Sequence, residues 1–108
     1  MTVLFDTLVA LDGIAHTMAG LLPGEVTMCE RLVAIGLQSL QLPQGELRGH
    51  AFHHSRLDTT LAPAYECAPH RYGRGEPVYR RGAITASYLH AYFPSDPAAA
   101  AALLTGDV

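Results

Sequence analysis

The chain contains no lysine; all seven basic residues are arginine. That absence removes the phosphate-gripping lysine of a Walker-type loop, and Gly73-Arg74-Gly75 is too short and isolated to stand in as a nucleotide loop. A GC-rich coding bias accounts for the arginine preference without a functional role. Charge is sparse as well: with 16% charged residues, a net charge of −3 and no basic stripe, nucleic acid is not an expected partner. No apolar run approaches the ~18–20 residues that a membrane-crossing helix needs. Met1 to Asp6 holds an early acid and no base, so a secretion signal is not expected there. Cysteine is scarce too. Cys29 and Cys67 lack CxxC spacing and suit free thiols in a reducing cytoplasm better than a disulfide framework.

What is present is an ordinary globular composition, 49% hydrophobic over 108 residues, which predicts one domain over 1–108 without repeats or linker. Apolar residues at 3, 4, 5, 8, 9 and 11 predict a short N-terminal helix, ended by Asp12-Gly13. Thr17 to Leu22 reads as a short strand closed by Pro23-Gly24. Arg31 to Leu42 reads as a strand bent at Gly36, Pro43 to Glu46 as a hairpin turn, and Leu47 to Thr59 as a longer strand. Leu61 to Gly75 is loop or ragged edge strand. Val78 to Gly82 turns into a last strand over Gly82 to Phe93. The C-terminal helix is the clearest element, with Ser95 or Asp96 as N-cap, Pro97 at its first position, an alanine run, and Gly106 as its stop. The expected class is α+β, with a mostly antiparallel or mixed sheet and a helix at each end.

Histidine carries the chemical interest. His50, His53 and His54 crowd one strand, His50 and His54 on one face and His53 on the other. A zinc site would need further ligands from Cys29, Cys67, His70 or Glu66, none at a motif spacing, so no metal is expected. The plainer reading is histidines hydrogen-bonded in a half-buried sheet. His90, near the end of the last strand, is placed to act as a general base in a cleft. Neither thiol sits in the small-residue elbow a nucleophile needs, and each has an acid beside it, Glu30 next to Cys29 and Glu66 next to Cys67, which raises a thiol's pKa. Both read as structural thiols. Arg80 and Arg81 are adjacent on a strand, so they point to opposite faces and read as a solvated turn.

Three stretches in order, Met18-Ala19-Gly20-Leu21-Leu22-Pro23-Gly24, Leu47-Arg48-Gly49-His50-Ala51-Phe52-His53-His54-Ser55 and Ala86-Ser87-Tyr88-Leu89-His90-Ala91-Tyr92-Phe93, carry a resemblance. Together they resemble the C-terminal glutamine amidotransferase domain of the cobyrinic acid a,c-diamide synthases, over roughly Val3 to Leu104. The resemblance implies a partial class I glutamine amidotransferase-like α/β fold. It implies a cobalamin-pathway ligase in which ATP and Mg²⁺ act on an N-terminal domain and glutamine supplies ammonia. It gives His90 the role of general base toward a cysteine nucleophile. That cysteine lies, in the family, just upstream of the segment matching Val3 to Leu8, so this chain carries the histidine without its thiol. Ala51 and His54 stand where the family usually has Glu and Tyr, and Tyr92 where a second histidine is often seen.

Four expectations follow. The chain holds no cofactor of its own, and glutamine and the corrinoid acid are partners of the longer protein. In isolation it is expected to be inactive. One sheet face is left apolar and unpaired, to be covered by a homodimer or by the first helix folded over it. The alternatives are a stand-alone binding module derived from the same domain and a histidine-rich metal sensor.

Overall fold

The computed structural model describes residues 1–108, and its best-formed element is a hairpin. Strand β4 (Ala34–Leu42) pairs with β5 (Gly45–His53) across nine residue pairs, from Ala34 opposite His53 to Leu42 opposite Gly45. The two-residue connection Pro43-Gln44 sets the register, and strict alternation then sorts the side chains. Gln38, Leu40, Leu42, Leu47 and Ala51 are buried on one face, while Ile35, Leu37, Gln41, Arg48 and Phe52 are exposed on the other. Strands β8 (Ala68–Pro69) and β11 (His90–Tyr92) flank the hairpin, in the order β11-β5-β4-β8.

Two smaller sheets complete the fold. The N-terminal one runs β2 (Ala15–Thr17), β1 (Thr7–Val9), β3 (Glu25–Met28), β6 (Ser55–Asp58), with β1 and β3 parallel and the other pairs antiparallel. The other runs β10 (Ile84–Ser87), β9 (Pro77–Arg81), β7 (Tyr65–Glu66). Helix α1 (Pro97–Thr105) lies on the buried face of the hairpin, where Ala99 and Ala100 join Leu40, Leu42, Leu47, Cys67 and Val78 in one core cluster. Phe5, Leu22, Val26, Tyr79 and Ala86 form the second, with Phe5 edge-on to Tyr79. The class is α+β, mostly antiparallel strands with a single α-helix, and no helix is long and apolar enough to cross a membrane.

Helix α1 is built as its sequence predicts. Asp96 is the N-cap, its Oδ1 accepting the Ala99 N–H at 3.0 Å, and Gly106 ends the helix in the left-handed conformation. Asp96 also ties the helix to the hairpin, since its Oδ2 accepts the Glu46 N–H at 3.1 Å. Ser95 instead accepts the Arg48 N–H, at 2.9 Å. Arg80 is no solvated turn residue: its Nη2 donates to the Gly106 carbonyl at 3.1 Å, a cation at the negative end of the helix, while Arg81 is exposed.

Three expectations are corrected. The N-terminal helix is a single 3₁₀ turn, Thr2–Leu4, followed by β1, because Leu8 takes a place opposite Val26 in the parallel pairing and tertiary contact overrides local periodicity. No first helix therefore exists to fold over an open sheet face. The strand expected over Thr17 to Leu22 lies earlier, at Ala15–Thr17, and residues 18–22 instead bond their backbone N–H groups to the carbonyls of Val3, Leu4, Phe5 and Asp6. The long strands are also shorter than expected. Leu47 to Thr59 breaks at His54 and changes sheets, and Gly82 to Phe93 breaks at Tyr88-Leu89, where the chain passes from the β9–β10 sheet to the hairpin sheet.

Candidate functional site

His90 is the first residue of β11, an edge strand, and stands directly opposite His50 on β5. Cross-strand partners share a face, so His90 and His50 lie with Phe52, Leu37 and Ile35 on the outward side of the sheet. Phe52 bridges the other two histidines, ring centroids 6.4 Å from His50 and 5.4 Å from His54. The His90 side chain is exposed and makes no hydrogen bond to the protein. Ile35 is 62% exposed, Leu37 59% and Phe52 47%, so the imidazole stands on an apolar face that nothing in this chain covers.

The inward face of the same strands is polar at one end and fully connected. His53 points inward, as its position in the strand predicts. Its Nδ1 lies 2.9 Å from the Ser55 carbonyl, which can only accept, so Nδ1 carries a proton. Its Nε2 lies 2.7 Å from Glu76 Oε1. Glu76 is buried, and its own N–H donates to Gln38 Oε1 at 2.7 Å. Tyr88 stacks on the His53 ring at 3.8 Å between centroids and 11° between planes, and its hydroxyl meets Ser55 Oγ at 2.6 Å. Burial pushes the Tyr88 phenol above its ordinary pKa, and the hydrogen bond from Ser55 works against that rise. A cleft of about 830 Å³ opens beside this cluster, with Arg56 and Arg74 among its lining residues.

Neither thiol takes part in the hydrogen bonds of these groups, although the Cys67 N–H donates to the Glu76 carbonyl at 2.9 Å and the Cys29 N–H to the His54 carbonyl at 2.7 Å. Cys67 lies in the core between β7 and β8, and burial, followed by the Glu76 charge, pushes its thiol from 9.0 up to about 11. The acid foreseen beside it, Glu66, is not among the causes, and the charge that acts is that of Glu76. Gly75 leaves room for this strand, because any side chain there would run into the Cys67 carbonyl. Cys29 is half-buried, its Sγ donating to the Thr27 carbonyl at 3.7 Å. Neither thiol is bonded to a histidine, and the structure contains no group of three or more His, Cys, Asp or Glu side chains arranged to hold a metal.

The structure thus puts His90 and His53 on opposite faces, and joins His53 to Tyr88, which shares its motif with His90, and to Glu76, which lies in none of the three motifs. Glu76 was missed. Its only local signal is a lone acid between Gly75 and Pro77, and such a residue is ordinarily solvated.

No family model matches the chain. At the level of class, its relatives are synthases that form a,c-diamides. In particular, it is 57% identical over 89 residues to the hydrogenobyrinate a,c-diamide synthase of Stutzerimonas stutzeri, a match covering 81% of this chain and 20% of that protein. It is 46% identical over 109 residues to the cobyrinate a,c-diamide synthase of Herminiimonas arsenicoxydans, covering 100% of this chain and 25% of the relative. The hydrogenobyrinate a,c-diamide synthase of Pseudomonas aeruginosa is 49% identical over 105 residues, 96% of this chain and 24% of its own. The chain therefore spans a quarter or less of the length of these curated relatives.

Proposed function

We propose that the chain is the C-terminal, glutaminase-side part of a cytoplasmic corrinoid a,c-diamide synthase, in which His90 serves as general base for a cysteine carried by the rest of the synthase. The observation that carries this reading is identity of 46–57% to such synthases across most or all of the chain. An imidazole without a protein partner, on a sheet face left open, supports it. In this chemistry the imidazole takes the thiol proton, and the sulfur bonds to the carboxamide carbon of glutamine. The C–N bond then breaks, ammonia leaves with the proton that the imidazolium returns, and water hydrolyses the thioester to glutamate. The ammonia amidates the a and c carboxylates of cobyrinic or hydrogenobyrinic acid.

Those carboxylates are activated by ATP with Mg²⁺, which this chain does not fit. The chain has no lysine and no nucleotide loop, which supports placing the nucleotide on the other part of the synthase. Alone, the chain is inactive. Its outward face, Ile35, Leu37 and Phe52, covers the remainder of the synthase in the complex and a second copy of itself in isolation.

The test pairs the chain with the remaining three-quarters of the Herminiimonas relative and measures glutamate release. His90→Ala is expected to lower the rate at least about 100-fold, the lower end for loss of a general base. A rate unchanged by that substitution overturns the reading, as does glutamate release by the unpaired chain above its His90→Ala control.

A further inference from the structure

The two motifs containing His53-His54-Ser55 and Tyr88-Leu89-His90 meet in space, and the meeting point is where the chain changes sheets. Strand β10 ends at Ser87 in one sheet, and β11 begins at His90 in another. Only Tyr88 and Leu89 lie between, so whatever fixes those two residues fixes the register of His90.

Both are fixed, by different means. The Tyr88 ring is stacked on His53, and its hydroxyl is bonded to Ser55 Oγ. His53 cannot rotate to release it, because both ring nitrogens are held, by the Ser55 carbonyl and by Glu76. Glu76 is anchored in turn through its N–H to Gln38 on β4. Leu89 occupies the space left by the missing side chain of Gly49. A Cβ at Gly49 would lie 2.7 Å from Leu89 Cδ1 and 2.6 Å from the His90 carbonyl oxygen, so only glycine admits β11 at this distance. Ser87 completes the bend: its Oγ donates to the Pro77 carbonyl at 2.9 Å and accepts the Leu89 N–H at 3.1 Å.

We infer that Tyr88, braced by the His53–Glu76 pair and Ser55, is a positioning residue for His90. It sits on the inward face and holds the backbone bend, and the backbone presents the imidazole two residues later on the outward face, opposite His50. The inference rests on the reading of His90 as general base. A base works only within hydrogen-bond reach of the proton it removes, and misplacement by about 1 Å costs on the order of 100-fold in rate. Tyr88 touches neither thiol nor glutamine in this account, so its loss falls on kcat and leaves KM for glutamine in place.

Two measurements test this. In the chain by itself, the His90 imidazole ring proton signals are read by NMR. The wild type is expected to give one sharp set, and Tyr88→Ala a broadened or doubled set, while the methyl signals of Leu40 and Leu47 stay unshifted. Tyr88→Phe keeps the stack and loses only the hydroxyl, and is expected to restore a single set. In the reconstituted synthase, Tyr88→Ala is expected to lower kcat about 100-fold with KM for glutamine within about twofold, and Tyr88→Phe to recover to within about tenfold of wild type. Should Tyr88→Ala not fold, Tyr88→Leu, which fills the space without the flat stack or the hydroxyl, replaces it in both measurements with the same expected results. A folded Tyr88→Ala or Tyr88→Leu protein with one sharp His90 set and unchanged kcat, while His90→Ala abolishes turnover, overturns the positioning role and leaves the general base standing. Turnover unaffected by His90→Ala overturns the reading beneath it.

Discussion

The two faces of the β4–β5 hairpin share one backbone and differ in everything else. The inward face buries Leu40, Leu42 and Leu47 against helix α1 and Cys67, and its polar members, Gln38 and His53, are hydrogen-bonded. The outward face carries Ile35, Leu37, Phe52 and His90 into solvent. A sheet with one packed and one polar face is ordinary; here Gln41, Glu46 and Arg48 make one end of the second face polar, and the bare apolar patch of Ile35, Leu37 and Phe52 at the other end is shaped for contact. The inward face therefore holds the fold, and the outward face carries the residue proposed to act. Substitutions on the two faces are expected to separate accordingly.

The largest contrast is in stability. Leu47 is fully buried in the main core cluster, so Leu47→Ala is expected to cost about 2–5 kcal/mol, from lost transfer energy and the cavity left behind. Leu37→Ala, one strand position from the buried Gln38 but on the other face, is expected to stay within about 0.5 kcal/mol. Urea denaturation of the two variants, at concentrations too low for the chain to pair with itself, measures both. Comparable losses would mean that the outward face is packed in solution and that the contrast is false.

A second, smaller effect sharpens the inward side. The folded-state pKa of Cys67 is raised to about 11, chiefly by burial, above the ordinary value of 9.0. Between those values the folded protein keeps a proton that the unfolded chain releases, so stability falls as pH rises. The contribution is present in full below about pH 9 and is lost as pH climbs through about 11. Urea midpoints at pH 8 and at pH 10.5 are expected to differ more for the wild type than for Cys67→Ala. Equal pH slopes would show that the thiol is not desolvated. Cys29, half-buried, is expected to react with iodoacetamide in the folded protein long before Cys67 does.

How much of this is legible in the sequence follows from the range of the interactions. The hairpin and α1 can be read directly, because alternation around Pro43-Gln44 and the Asp96-Pro97 to Gly106 frame are local signals. Residues 3–11 mislead, since their spacing suits a helix and only the distant pairing of Leu8 with Val26 makes them strand. The break at Tyr88 has one weak local signal, the Ser87 hydroxyl that accepts the Leu89 N–H, and its main supports are distant. It is made by Ser55, 33 residues earlier, and by His53, held in turn by Glu76, 23 residues further on. His90 is recognisable from its motif, and the side of the sheet it faces is not, because that depends on its register against His50.

A further small change in folding stability decides what the outward face is for. Replacing Leu37 and Phe52 together by serine removes exposed apolar surface and touches no buried partner, so unfolding free energy is expected to move by less than about 1 kcal/mol. If that face covers a second copy of the chain in isolation, sedimentation equilibrium at high micromolar concentration shows the wild type as a dimer and the double variant as a monomer. The same double variant is expected to weaken assembly with the rest of the synthase, since one apolar surface serves both contacts. A wild-type monomer at every concentration rules out self-association. Assembly unaffected by the double substitution would show that the remainder of the synthase docks elsewhere, and that His90 faces solvent for a reason other than contact with it.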